Sequence, residues 1–121
     1  MALSQAQIDG FARDGFVSGI PALTRDEVAA FRAATERFER DHPADARWAF
    51  DIKANLVFDW VYENGRHPRI LAAVAYMLGP YLLLTNSIFR IKEPGATTNY
   101  GWHQDSARIA VDGYDPVEVL M

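Results

Sequence analysis

His103 and Asp105 are the side chains best suited to bind a metal ion, because they stand two positions apart in the segment WHQD. In an extended chain, residues i and i+2 point to the same side, so an imidazole and a carboxylate would face one ion together. These are two of the three ligands in the 2-His-1-carboxylate site of non-haem Fe(II) oxygenases, which leaves coordination positions open for a co-substrate and O2. A pair of this kind also arises as a simple surface hydrogen bond, and the spacing by itself leaves both interpretations open.

The segment that carries this pair lies in the second half of the chain, where the pattern predicts β-structure. Residues 81–92 (YLLLTNSIFRIK) alternate in character and are rich in β-branched and aromatic residues, as in a strand. Residues 102–111 are predicted as a second strand, and residues 117–121 begin a third. Because the sequence stops within that third apolar segment, we expect these residues to be the N-terminal part of a longer chain. The alternative is a complete small α+β domain that ends on a strand.

The first half of the chain is predicted to be helical. Ser4 can cap a short helix that Gly15 ends. Thr24 opens a second helix, with Glu27 three residues later to complete a capping box. The buried stripe of this second helix is predicted from apolar positions at three- and four-residue spacing: Val28, Phe31, Ala34, Thr35 and Phe38. Both helices therefore have a defined start and a face to bury.

The remaining helical half is less regular. The second helix is expected to end before Pro43, since a residue that precedes proline avoids the α region. Residues 41–49 are predicted to be a loop, and residues 55–63 are ambiguous between helix and strand. Pro68–Leu78 is predicted as a third helix, with Gly79 in the left-handed position after it.

The composition is that of a folded domain, with 121 residues, 50% hydrophobic and 23% charged. The net charge of −4 argues against a nucleic-acid partner. The lack of Cys excludes disulfides, thiolate zinc sites, iron–sulfur clusters and a cysteine nucleophile, and it fits a reducing compartment, so we expect a cytoplasmic protein. The longest apolar run, residues 71–84, is too short for a membrane span, and the start lacks a signal-peptide pattern, so no membrane partner is expected.

Nearly the whole chain resembles the N-terminal half of the phytanoyl-CoA dioxygenase family of Fe(II)/2-oxoglutarate oxygenases. The resemblance is carried by short segments in the order and spacing of that family, namely IDGFARDGFV (8–17), LTRDEV (23–28), HPRIL (67–71), LGP (78–80), IKEPG (91–95) and WHQD (102–105). Each segment is loosely defined, whereas their order and spacing together are specific.

The resemblance implies an α+β fold in which helices pack on a double-stranded β-helix, or jelly-roll, that is incomplete in this sequence. Residues 1–121 would form a single domain, helical over 1–80, with the start of the jelly-roll over 81–121. His103 and Asp105 would bind Fe(II), with 2-oxoglutarate as co-substrate and O2 and a small molecule as substrates. The presence of Asp105 favours hydroxylation, because related halogenating enzymes have a small residue at this position to make room for halide.

Two further residues stand near positions that contact the co-substrate in the family, and a third is predicted beside one of them. Lys53 is near the place of a lysine that binds a 2-oxoglutarate carboxylate, and its alternative is a solvent-facing loop lysine. Ile88 falls where a residue lines the co-substrate, and it is otherwise an ordinary core residue. Asn86 lies on the same face of the predicted strand as Ile88, and its side chain either contacts co-substrate or substrate or bonds to neighbouring backbone.

Other candidate residues receive a structural interpretation. Trp102 either shields one side of the metal or lies in the core, as large aromatic side chains usually do. His42 and His67 match no ligand position of the family, and we expect each to be a surface or capping histidine.

The function predicted from this resemblance is hydroxylation of a small organic or acyl-type molecule. The family's distal histidine and the arginine that pairs with 2-oxoglutarate would lie downstream of this sequence, so the chain by itself is expected to be inactive. One alternative is a catalytically inactive remnant or binding module of the same fold. Another is an unrelated α+β protein in which WHQD is accidental. The sequence indicates no oligomeric state.

Overall fold

Six α-helices form the regular secondary structure in the part of the chain that the computed structural model describes, residues 3–99, 101–103 and 119. They are α1 (Gln5–Asp14), α2 (Arg25–Asp41), α3 (Ala46–Asp51), α4 (Ala54–Val57), α5 (Asp59–Gly65) and α6 (Pro68–Leu78). The chain divides into two units, Met1–Arg90 and Ile91–Met121, and all six helices lie in the first. Within this described part, no helix has the length and apolar character that crossing a membrane requires.

The capping box predicted at α2 is confirmed, and the predicted Ser4 cap of α1 is part of a second capping box. The Ser4 hydroxyl accepts from the backbone N–H of Gln7 over 3.3 Å, and the Gln7 side chain accepts from the Ser4 N–H over 2.9 Å. At α2 the Thr24 N–H donates to Glu27 Oε2 over 2.6 Å, and the Glu27 N–H donates to the Thr24 hydroxyl over 3.2 Å. Each box satisfies backbone donors that the first helical turn otherwise leaves without acceptors.

The third predicted helix is confirmed as α6, which begins with proline at its first turn and ends at Leu78. The predicted left-handed conformation of Gly79 is correct in φ, which is 84°, and wrong in ψ, which is −175°. This combination is accessible almost only to glycine, so the chain leaves α6 in an extended direction rather than curling back on it.

The loop prediction for residues 41–49 is wrong at its C-terminal end, because α3 begins at Ala46. The ambiguous residues 55–63 contain two short helices, α4 and α5, which Phe58 separates with an extended backbone (φ −123°, ψ 120°). None of these three helices has a side-chain cap, so no local signal marks their starts. Burial stabilises them instead, since Ala46 and Phe50, one turn apart, are both buried.

An aromatic core joins the short helices to α2 and to the segment that follows α6. It consists of Phe31, Phe38, Phe50, Phe58, Trp60 and Phe89. Phe50 lies at its centre with 1% of its surface exposed, and its ring centroid is 4.5 Å from that of Phe89 and 5.4 Å from that of Phe58. Such tilted and edge-to-face pairs add about 0.5–1.5 kcal/mol each beyond the burial of their apolar area. The packing of Phe89 therefore holds the segment that follows α6 against the helices.

The expected α+β fold with a jelly-roll is wrong for the part of the chain that the structure describes, which contains helices and no strand. Residues 81–92 have no regular secondary structure. A strand needs a ladder of backbone hydrogen bonds to a neighbouring strand. Here the Ser87 carbonyl accepts from the Ala54 N–H over 2.8 Å, and the Phe89 N–H donates to the Phe50 carbonyl over 2.9 Å. The segment therefore bonds to α3 and α4 rather than to another strand.

The other two predicted strands fall mostly on residues that the structure does not describe. Within residues 102–111 and 117–121, only residues 102, 103 and 119 are described, and none of the three is part of a strand. The rest of both segments lies outside the described residues.

Candidate functional site

Lys53 occupies a backbone conformation that is unusual for a lysine. Its φ of 49° and ψ of 46° place it in the left-handed region, immediately before α4. The Lys53 side chain is exposed, and its backbone N–H donates to Oδ1 of Asn86 over 3.1 Å. Two residues that the sequence singled out separately are therefore in direct contact, through the backbone of one and the side chain of the other.

A second amide bond lies beside this one. Asn55 is buried, with 5% of its surface exposed, and its Oδ1 accepts from the backbone N–H of Ser87 over 2.9 Å. Because a backbone N–H can only donate, the atom of each asparagine that faces it is the amide oxygen. These two bonds, Lys53 to Asn86 and Ser87 to Asn55, together hold the start of α4 against residues 86 and 87.

Sequence reasoning did not single out Asn55, although a signal was available. Asn55 interrupts the otherwise apolar residues 54–58, of which Ala54 and Phe58 are buried while Leu56 and Val57 are exposed. A buried amide requires hydrogen-bond partners, and a polar residue at such a position therefore indicates a specific contact.

Ile88 is half-buried and lies between two residues, Ser87 and Phe89, whose backbones bond to the helical unit. Beyond it, the Arg90 guanidinium is 3.2 Å from the Asp51 carboxylate, in an exposed ion pair. The predicted co-substrate residues Lys53, Asn86 and Ile88 thus lie at the contact between the start of α4 and residues 86–90.

His103 belongs to the second unit and is exposed. Its Nδ1 lies 2.8 Å from the carbonyl oxygen of Gly101. A carbonyl oxygen only accepts, so Nδ1 carries the proton in this bond, and in the neutral ring the lone pair resides on Nε2. Metal-ligating histidines commonly have this arrangement, in which one ring nitrogen donates to a carbonyl or carboxylate while the other binds the ion.

The neighbours of His103 are only partly described. Trp102 is fully exposed, at 105% of the reference area, so the interpretation of Trp102 as a core residue is wrong. Asp105 lies outside the described residues. Within residues 3–99, 101–103 and 119, no three His, Asp or Glu side chains stand close enough to hold a metal ion together.

The other two histidines have structural positions. His67 caps α6: its Nδ1 accepts from the Arg69 N–H over 3.3 Å, and its Nε2 is 3.2 Å from Oε1 of Glu27. The expected capping role of His67 is therefore confirmed. His42 is exposed at the end of α2, with its ring centroid 4.9 Å from that of Phe38.

The Glu27 carboxylate is stabilised in its charged form, and its pKa is lowered from 4.5 to about 2. The largest cause is the hydrogen bond from the Thr24 backbone, followed by the Thr24 hydroxyl and then His67. All of these favour the carboxylate over the acid. Because the folded pKa lies below the unfolded one, this contribution to stability is present above about pH 4.5 and is lost as the pH falls toward about 2.

We expect Glu27→Gln to be less acid-sensitive than the parent chain, because glutamine keeps the capping box but has no charge to lose. The free energy of unfolding, measured by urea denaturation at about pH 6 and about pH 3, should change less between these conditions in the variant. Thr24→Val, which removes the hydroxyl and keeps the backbone donor, should give an intermediate difference. A Glu27→Gln variant that loses as much stability as the parent would contradict this assignment.

Comparison with known proteins gives one family. The model of the phytanoyl-CoA dioxygenase (PhyH) family matches residues 11–120, which include all the candidate residues named above from Lys53 to Asp105. No curated protein and no solved structure matches the chain.

Proposed function

Because this chain belongs to the phytanoyl-CoA dioxygenase family, a family of dioxygenases, we propose that it is an Fe(II)- and 2-oxoglutarate-dependent dioxygenase. Its substrate in this proposal is a small organic or acyl-type molecule, which is hydroxylated with O2. The observation that carries the proposal is the extent of the family match, residues 11–120, which spans both the Lys53 region and the WHQD segment.

His103 and Asp105 are the proposed iron ligands. A neutral imidazole and a hard carboxylate suit Fe(II), and three protein ligands on one face leave positions open for a co-substrate and O2. The bond from Nδ1 of His103 to the Gly101 carbonyl supports this role, because it leaves the lone pair of the neutral ring on Nε2. His103 is the one of the two proposed ligands that the structure describes, and its Nδ1 bond to a carbonyl is the kind that a metal-ligating histidine makes.

Lys53, Asn86 and Ile88 are the proposed co-substrate residues. The exposed ammonium of Lys53 would compensate a carboxylate of 2-oxoglutarate, and half-buried Ile88 would supply an apolar contact. When bound, iron would bring 2-oxoglutarate and O2 together: O2 is the oxidant, and its four electrons come two from the decarboxylation of 2-oxoglutarate to succinate and CO2 and two from the C–H bond that is hydroxylated.

The ligand proposal is tested by metal binding rather than by turnover. The parent chain is titrated with Mn(II), as a stable substitute for Fe(II), and the free ion is followed by electron paramagnetic resonance. We expect His103→Ala and Asp105→Ala each to weaken binding by about tenfold or more, since even the loss of a residue that only supports a ligand costs that much. His42→Ala, which removes an exposed histidine outside the proposed site, is the matched control and should bind as the parent does.

A second measurement tests the co-substrate. Under anaerobic conditions, 2-oxoglutarate added to the Fe(II)-loaded parent chain should produce a visible metal-to-ligand charge-transfer band, and His103→Ala should not show it. Equal Mn(II) affinity in the parent and in both ligand variants would refute the iron site, whatever the optical result.

A further inference from the structure

Asn86 accepts a hydrogen bond from the backbone N–H of Lys53, the residue proposed to bind the co-substrate. Asn86 can therefore affect co-substrate binding through the conformation of Lys53. We infer that Asn86 is a positioning residue, whose amide oxygen holds Lys53 in the left-handed conformation from which the lysine binds a carboxylate of 2-oxoglutarate. The inference rests on the proposed function and adds to it a residue that acts through Lys53.

The backbone of Lys53 is the first observation in support. Among the described residues, the other positive φ angles belong to glycines, Gly15, Gly19, Gly79 and Gly95, and Lys53 is the non-glycine exception. A side chain with a Cβ is disfavoured in this region, and glycine would adopt it without cost. Backbone outliers of this kind persist where the surrounding structure enforces them, and they concentrate at ligand-binding positions.

The enforcing contacts are the second observation. The Lys53 N–H is held by Asn86, and the next N–H along the chain, that of Ala54, donates to the Ser87 carbonyl over 2.8 Å. The position of Asn86 is fixed by its neighbour Ser87. The Ser87 N–H donates to Asn55, and the Ser87 carbonyl accepts from the Ala54 N–H. Two consecutive amides of the turn thus have acceptors on residues 86 and 87.

The chemistry of Asn86 is the third observation. Its oxygen satisfies the Lys53 N–H without adding a negative charge to the turn that carries the lysine. An aspartate at this position would offer the same acceptor but would compete with a dicarboxylate for the lysine. An amide side chain therefore stabilises the turn without neutralising the lysine charge, which stays available to an anion.

A positioning role differs measurably from a merely structural one. If Asn86 acts through Lys53, removing Asn86 matters only while the lysine side chain is present. If Asn86 simply stabilises the unit, its loss and the loss of the lysine act independently. A double-mutant cycle separates the two cases.

The experiment measures 2-oxoglutarate binding by NMR titration of the metal-loaded chain, for the parent, Asn86→Ala, Lys53→Ala and the double variant. We expect about tenfold weaker binding in each single variant and a double variant within about twofold of Lys53→Ala. Thr85→Ala, an exposed neighbour, is the control and should match the parent. Additive losses, or an Asn86→Ala affinity equal to that of the parent, would overturn the inference.

Amide exchange gives a readout that does not depend on the ligand. Deuterium exchange at the Lys53 N–H should be faster in Asn86→Ala, and Asn86→Asp, which keeps an acceptor, should preserve the protection. Asn86→Asp should nevertheless bind 2-oxoglutarate more weakly than the parent, because of the added charge. An unchanged Lys53 exchange rate in Asn86→Ala would refute the positioning role.

The failure of this inference is distinguishable from failure of the proposed function. If the parent chain does not bind 2-oxoglutarate at all, both are overturned. If the parent binds it and Lys53→Ala weakens binding while Asn86→Ala does not, the proposed function stands and the positioning role of Asn86 is refuted.

Discussion

Phe50→Ala is expected to lower the free energy of unfolding by about 3–5 kcal/mol, the range for truncation of a buried aromatic ring. Phe50 is 1% exposed, and its ring packs on Phe89 at 4.5 Å, Phe58 at 5.4 Å and Phe38 at 5.5 Å between centroids. Its removal loses both the buried apolar area and the contacts of its neighbours across the cavity that remains. Since a whole domain is stable by only about 5–15 kcal/mol, this single change should remove a large share of the total.

The measurement is urea denaturation followed by circular dichroism, with two companion variants. Phe16→Ala is the matched control, because Phe16 is 67% exposed and its truncation should change stability by no more than about 0.5 kcal/mol. Phe50→Leu should fall between the parent and Phe50→Ala, because it leaves a smaller cavity. A loss below about 1 kcal/mol in Phe50→Ala would show that Phe50 is not the centre of the core.

Asn55→Leu is expected to cost about 1–3 kcal/mol, through an unpaired backbone group rather than a cavity. Leucine has the branching and the number of side-chain heavy atoms of asparagine, although it is bulkier, and it has no acceptor, so the half-buried Ser87 N–H would lose its 2.9 Å bond to Oδ1. The cost should be accompanied by faster deuterium exchange at the Ser87 amide, because that bond anchors residues 86 and 87 to α4. The two readouts together identify the lost hydrogen bond as the cause.

The control for this prediction is Asn99→Leu, the same substitution at an exposed asparagine outside the first unit. It should leave the unfolding midpoint and the Ser87 exchange rate near those of the parent. Destabilisation by Asn55→Leu with Ser87 exchange unchanged would point to packing instead, and the anchoring role of Asn55 would then be wrong.

The elements that could be predicted from the sequence are those determined by neighbours in the chain. The capping boxes at Ser4 and Thr24 and the start of α6 at its proline each depend on residues within one helical turn. The signal is local because the hydrogen bonds are local: Glu27 and Thr24 satisfy each other three residues apart. The structure confirms these starts.

The elements that could not be predicted depend on distant partners. Helix α3 has no cap and forms because its buried face joins the aromatic core. The alternating pattern of residues 81–92 indicates an extended chain, which does not determine its partner. The Ser87 and Phe89 backbones bond to Ala54 and Phe50, more than thirty residues earlier. The strand prediction failed for this reason, and with it the prediction of a sheet over these residues.

The same limit applies to the candidate site. Lys53 and Asn86 were named from the sequence as separate residues, and their contact spans 33 positions of the chain. No spacing rule connects residues so far apart. The left-handed conformation of Lys53 was not predictable either, because a lysine carries no signal for it, in contrast to the glycine that follows α6.

Residues 86–89 take part both in the interior of the helical unit and in its most unusual turn, since Phe89 packs on Phe50 while Asn86 holds Lys53. An anion that binds more tightly to Lys53 in this conformation would also stabilise the packing of Phe89 on Phe50, because residues 86–89 make both contacts. The affinity of Lys53 for the anion and the free energy of unfolding of the aromatic core are then thermodynamically linked, so that a mutation selected for one of them also changes the other.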